Sequence, residues 1–215
     1  MPFWRSDCRS LRVSEWSMAN GEGLVQLDSF LFAICEQRTE GLYLHMRTHN
    51  GMRPQDVVIL LKLVSIRGQA WQYRDVAAEL SLPISEISVS LKRSQKAGLF
   101  NPELRSVHRQ SLMEFIEYGL RYVFPTSPGA LVTGMPTAHS HPFYKKSFST
   151  EIEYAWPDEA GSIRGLSIDP LYPNVPKAAV KDELLYKLLA SIDILRVGKV
   201  REVQLAIEEL KKEIL

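Results

Sequence analysis

Residues 53–100 carry three apolar helical stripes set apart by Pro54, Gly68, Pro83 and Gly98, and no other stretch is so tightly specified. Pro54 suits the first turn of a helix, where its missing N–H leaves nothing unpaired. Val57, Val58, Leu60, Leu61, Leu63 and Val64 follow, too many apolar residues for one face. The spacing predicts a largely buried helix ending at Arg67-Gly68. Tyr73–Leu80 reads as a short second helix with Val76, Ala77 and Leu80 inward, and Ser81-Leu82-Pro83 as a turn. Ile84–Ala97 reads as a third helix, with Ile84, Ile87 and Leu91 on one face. Gly98 stands where a helix ends in left-handed backbone, and Leu99-Phe100 leaves as an apolar pair.

These lengths are those of a helix-turn-helix, with a short middle helix, a tight turn and a third helix polar on its outer face. The outward positions expected on the third helix are Ser85, Glu86, Ser88, Val89, Lys92, Arg93 and Lys96. Small hydroxyls near its start can approach base edges, and cations one and two turns later can reach phosphates. Ser85 also has the chemistry of a helix N-cap, and Val89 that of a thymine-methyl contact or a packing residue.

The run Tyr73–Phe100 resembles the core of bacterial winged helix-turn-helix transcriptional regulators of the MarR-like group. Asp75-Val76-Ala77-Ala78-Glu79-Leu80 is similar to the positioning helix, and Ile87-Ser88-Val89-Ser90-Leu91-Lys92-Arg93 to the recognition helix. Lys96-Ala97-Gly98-Leu99-Phe100 is similar to the exit into the wing. The resemblance implies a sequence-specific regulator bound to double-stranded DNA, a dimeric repressor reading the major groove with helix 84–97. The implied contacts are Ser85, Ser88, Val89, Lys92, Arg93 and Lys96. Val89 stands where the group has a basic or polar residue, and Ser94 where it often has Leu. The wing differs too. A basic hairpin is expected after Phe100, yet Asn101-Pro102 leads into what reads as a helix, Leu104–Leu120. The hairpin is then vestigial or displaced to Tyr122–Thr133, with Arg105, His108 and Arg109 standing in as backbone contacts. The alternative is a winged-helix interaction module, an antitoxin or adaptor, that holds a protein partner.

Charge by segment agrees with the DNA reading. The whole chain has 26 Lys+Arg against 25 Asp+Glu, a net charge of +1. Residues 53–109 hold nine basic and five acidic side chains, and residues 110–170 hold four basic and seven acidic. Phosphate affinity follows local cation placement rather than the total.

The expected fold class is α+β, mostly helical. Residues 1–52 form a leader of uncertain status, with an amphipathic helix at Leu24–Leu44 and alternative starts at Met46 or Met52. Residues 53–120 are the winged helix-turn-helix domain. Residues 121–176 hold eight of the chain's twelve prolines, with short strands expected at Arg121–Phe124, Ala130–Thr133, Glu151–Trp156 and Ile163–Ile168. Residues 177–215 form two helices, Asp182–Leu195 and Lys199–Ile214. The stripe Val203, Ile207, Leu210, Ile214 and the stripe Leu24–Cys35 are the two candidate dimer surfaces, since half-sites one turn apart need two readers.

Other chemistry is thinly represented. No run approaches the roughly 18 to 20 apolar residues of a membrane span. Cys8 and Cys35 have no metal-ligand spacing, and a reducing, cytoplasmic setting fits them. His139 and His141 would share a face on a strand, but two ligands do not make a metal site. Glu151, Glu153, Asp158, Glu159 and Asp169 lack a nucleophile or base partner, so no catalysis, metal or cofactor is expected. Tyr118, Tyr122, Phe124, Phe143, Tyr144, Phe148, Tyr154 and Trp156 read as the core of a small second domain or as the lining of an effector pocket. Asp193, Arg196, Arg201 and Glu202 read as salt-bridge partners.

Overall fold

The computed structural model describes residues 51–148 and 152–215, all within one unit, Asn50–Leu215. The expected Leu24–Leu44 helix, both cysteines and Met46 lie outside the described residues.

Helix α1 is Pro54–Ser65, α2 is Tyr73–Leu80 and α3 is Ile84–Lys96. Helix α1 is apolar all round because it is central: Val57, Val58, Ile59, Leu60 and Leu61 have no exposed surface. It packs against α2, α3 and a later helix, α6 (Glu183–Val197). Each such side chain contributes about 1.5–3 kcal/mol of burial free energy. Helix α3 ends as expected. Gly98 takes φ +73°, Leu99 N–H donates to Ser94 O at 2.9 Å, and Gly98 N–H donates to Gln95 O at 3.0 Å. Both bonds satisfy carbonyls that the helix leaves unpaired.

The chain then departs from expectation. It makes an antiparallel hairpin, β1 (Phe100–Asn101) with β2 (Ser106–Val107), pairing Phe100 with Val107 and Asn101 with Ser106. The Asn101 side-chain oxygen accepts from Glu103 N–H at 2.9 Å and Leu104 N–H at 3.1 Å. That Asx turn folds the chain back at once. The hairpin therefore lies directly after Phe100 and not at Tyr122–Thr133. The helix expected from Leu104 starts only at Arg109. This helix, α4, runs through Arg109–Glu114, a π-helical turn at Phe115–Gly119 and a last turn at Leu120–Val123. The strand expected at Arg121–Phe124 is thus the end of α4. Its apolar residues continue the helical spacing of Leu112, Met113, Ile116 and Leu120, which are buried.

Three strands form in the proline-rich segment: β3 (Leu131–Pro136), β4 (Tyr154–Pro157) and β5 (Ile163–Ser167). Strand β3 is antiparallel to both others, and β4 and β5 are parallel, so each strand pairs with two neighbours and the ring closes. Gly134 pairs with Pro157 on one side and Ile163 on the other. Closing three strands forces backbones together there. A Cβ on Gly134 would run into the Trp156 carbonyl, and one on Gly161 into the Gly134 backbone.

Three helices follow: α5 (Val175–Lys181), which the sequence pattern missed, then α6, then α7 (Val200–Ile214). The Asp182 carboxylate caps α6 by accepting from Leu185 N–H at 2.9 Å. On α7, Ile207, Leu210 and Ile214 are buried, and the helix packs against α6 and α4. The C-terminal stripe read as a candidate dimer surface is therefore spent inside the protomer. One continuous apolar core runs from α1 through Trp156 to Ile214, so the proline-rich segment has no core of its own. Trp156 and Tyr144 belong to that core, whereas Tyr118 and Tyr122 are exposed. Among the described residues, no helix is long and apolar enough to cross a membrane.

Candidate nucleic-acid interface

Helix α3 presents two faces. Ile87, Ser90, Leu91, Arg93 and Ser94 are buried. Ser85, Val89, Lys92 and Lys96 are exposed and Ser88 is half-buried. Steps of three and four residues place these five on one stripe along the helix. Val89 is 45% exposed, so its methyl groups face solvent rather than the core. Ile84, read as inward, is 54% exposed and joins this face. Gln95 is exposed beside Lys92 and Lys96, although its charge-neutral side chain drew no attention in the sequence. Ser85 is not a cap: Pro83 holds that position, and Ser85 lies within the first turn. Glu86, the one acid on α3, accepts from the Gln55 amide at 2.7 Å.

Arg93 is the main correction. Its Nε donates to Asp56 Oδ2 at 2.8 Å and its Nη2 to Asp56 Oδ1 at 2.6 Å. The Arg93 side chain is 9% exposed and Asp56 is fully buried. Such a forked pair needs both partners held in plane, and here it bolts α3 to the first turn of α1. Asp56 also accepts from Arg53 N–H at 2.8 Å. Arg93 therefore does not face a phosphate.

Arg105 and Arg109 also have partners. Arg105 lies at the end of the hairpin loop with φ +49°. Its guanidinium donates to Trp71 O at 3.0 Å and sits 4.4 Å from the centre of the Trp71 ring. The stacking fixes the hairpin against the approach to α2. Arg109 donates to Ile214 O at 3.0 Å, a cation on the terminal carbonyls of α7. Arg105 remains exposed, and its bond to Trp71 uses one of five N–H donors, whereas Arg109 is half-buried.

Two acids from outside residues 53–109, Asp182 and Glu213, offset part of that segment's positive surplus. Lys62 is buried between Glu79 and Asp182. Burial lowers its pKa, but hydrogen bonds to Asp182 and Glu79 outweigh that and hold it above the ordinary lysine value. Arg67 pairs with Glu213 at 3.2 Å. Lys92 and Lys96 remain exposed on the α3 stripe.

The weaker constellations resolve as packing. Among the described residues, no three His, Cys, Asp or Glu side chains are grouped to hold a metal. His139 and His141 sit on and after a 3₁₀ turn, Ala138–Ser140, not on a strand. They face different neighbours: His139 packs against Phe148 and Tyr154, and His141 against Tyr186. His139 Nε2 is 2.9 Å from Glu202 Oε2 but out of line for a hydrogen bond. Glu153 pairs with Lys145 at 2.5 Å, and Glu151 lies outside the described residues. Asp193 is buried and accepts from Thr137 Oγ1 at 2.9 Å, Trp156 Nε1 at 2.6 Å and Arg196 Nη1 at 2.9 Å. Burial raises its pKa, and these donors oppose that shift. The node ties α6 to the strand ring, so the Asp193–Arg196 pair lies inside the protomer.

No protein-family model, no curated protein and no solved structure matches this chain.

Proposed function

We propose that this protein is a regulator of transcription, a dimeric repressor that binds double-stranded DNA by laying α3 in the major groove. The reading rests on the outer stripe of α3. Two serines and a valine lie near its start, lysines follow at successive turns, and the one acid on the helix, Glu86, is tied to Gln55. Ser85, Ser88 and Val89 then face base edges, while Lys92 and Lys96 take flanking phosphates. The β1–β2 hairpin serves as a short wing, directly after the third helix. Any two-fold pairing uses a surface other than the α7 stripe.

The test is fluorescence anisotropy with a pool of random duplex DNA, followed by selection of bound fragments. Lys92→Ala and Lys96→Ala should each weaken binding on all sequences and each lower the salt slope by about 1. Val89→Ser should instead change the selected sequence. Absence of binding at low salt refutes the proposal.

One observation favours a second reading, a protein-interaction module. Ile84 and Val89 together place apolar surface on the outer face of α3, while Arg93 supplies no charge there. In that case duplex DNA fails to bind, and Val89→Asp abolishes capture of a partner while the protein stays folded.

A further inference from the structure

Helix α4 turns a row of side chains outward. Gln110, Glu114, Tyr118 and Tyr122 are all exposed, Tyr118 by 69% and Tyr122 by 81%. In a regular α-helix every fourth residue drifts by about 40° per step, so such a row soon leaves one side. The π-helical turn at Phe115–Gly119 is wider and takes up that drift. The opposite side, with Leu112, Met113, Ile116 and Leu120, stays in the core. Both tyrosines leave most of their surface in water, and tyrosine is a residue that protein interfaces concentrate.

The row carries its own complement. Arg121 is exposed beside Tyr122 and has no acidic partner among the described residues. Glu114 accepts from the Gln110 amide at 2.8 Å through one of its two oxygens. A hollow of about 300 Å³ opens where α4 meets α7, at the Glu114 end of the row. Its walls include Met113, Glu117, Lys211 and Leu215. Leu215 is 57% exposed, and Lys211 pairs with Glu117 at 2.9 Å. Apolar surface beside a polar pair suits a tyrosine, which has an apolar ring and a polar tip. Tyr122 lies four residues after Tyr118, and Glu114 lies four before it. A second α4, antiparallel and related by a two-fold axis beside Tyr118, sets Tyr122 of each copy over the hollow of the other. The same operation brings Arg121 of each copy beside Glu114 of the other. A two-fold contact must be self-complementary in this way.

We propose that the outer row of α4 joins two copies of this chain, with Tyr122 as the knob, the α4–α7 hollow as its socket and Arg121–Glu114 as the paired charges. The proposal deepens the dimeric reading above by naming the surface, and it is tested without DNA.

The test is sedimentation equilibrium of the full chain, where a dimer is expected. Tyr122→Ala and Arg121→Glu, both exposed substitutions, should each raise the dimer dissociation constant about tenfold or more, since each acts twice per dimer. Glu114→Arg should do the same. Arg121→Glu/Glu114→Arg should restore the dimer, because the charges are then exchanged across the axis. Circular dichroism checks that each variant keeps the parent's fold. A chain that stays monomeric up to about 100 μM, a dimer that Tyr122→Ala leaves intact, or single reversals that the double variant fails to rescue overturns the proposal. DNA binding by a monomer overturns this surface alone. A dimer that these variants dissolve but that binds no DNA overturns only the reading as a repressor.

Discussion

Lys92 and Arg93 are adjacent cations on one helix, yet Lys92 is exposed and Arg93 is buried against Asp56. Arg93→Ala removes two charge-assisted hydrogen bonds of 2.8 and 2.6 Å. It leaves the Asp56 carboxylate fully buried, with Arg53 N–H as its remaining donor. Removing one partner of a buried pair costs about 3–5 kcal/mol, because the other charge stays behind without water. Against a total stability of roughly 5–15 kcal/mol, that is a large share. With a urea slope near ~2 kcal/mol per molar, the unfolding midpoint should fall by about 2 M. Far-UV circular dichroism in urea at pH 7 reads this directly. Lys92→Ala, exposed one residue earlier, should stay within about 0.5 kcal/mol of the parent. The double variant Asp56→Leu/Arg93→Met should regain much of the loss, since it leaves no buried charge. A midpoint for Arg93→Ala within about 0.3 M of the parent, where about 2 M is expected, refutes the assignment.

Three further outcomes are expected. His141 has its pKa lowered to about 4 in the folded state, against about 6.5 unfolded, so the unfolded chain binds more protons in that window. Stability contributed by the neutral ring is complete above about pH 6.5 and is lost as pH falls towards 4, by about 3 kcal/mol in all. Urea midpoints from pH 7 to pH 5 should drop more steeply for the parent than for His141→Gln, and parallel slopes count against this. Gly134→Ala should destabilise far more than Gly98→Ala. The first drives a methyl group into the Trp156 carbonyl, whereas the second meets open space at φ +73° and costs about 1 kcal/mol. Equal losses of melting temperature contradict the closed ring. Ser90 Oγ is buried with no partner among the described residues, so Ser90→Ala should leave stability unchanged or raise it by up to about 1 kcal/mol. A loss of that size means the hydroxyl has an unseen partner.

Elements whose signals are local are legible in the sequence. Apolar spacing located α1, α2, α3, α6 and α7 to within a few residues, and Gly98 marked the end of α3 because left-handed backbone favours glycine there. Two of the three ring strands were legible from their β-branched and aromatic residues, and the third, at Ala130–Thr133, from its place between turns. The sequence leaves the hairpin either vestigial or displaced, because its strands are two residues long, too short for any period, and a side-chain oxygen on Asn101 makes its turn. Helical spacing carried on into Arg121–Phe124, where a strand was expected.

The site divided along the same line. That Ser85, Val89, Lys92 and Lys96 share a face follows from helix geometry alone. Which cations reach solvent does not. Arg93 is held by Asp56, 37 residues away, Arg109 by Ile214, 105 residues away, and Arg105 by the carbonyl and ring of Trp71. No pattern within a window of sequence records such pairings. They arise when α1 and α7 pack against their neighbours, where a buried carboxylate or an unpaired helix carbonyl takes the nearest donor because water cannot. Packing therefore sets which positive charges stay exposed, because a buried charge must be paired by whatever residue the fold brings within reach.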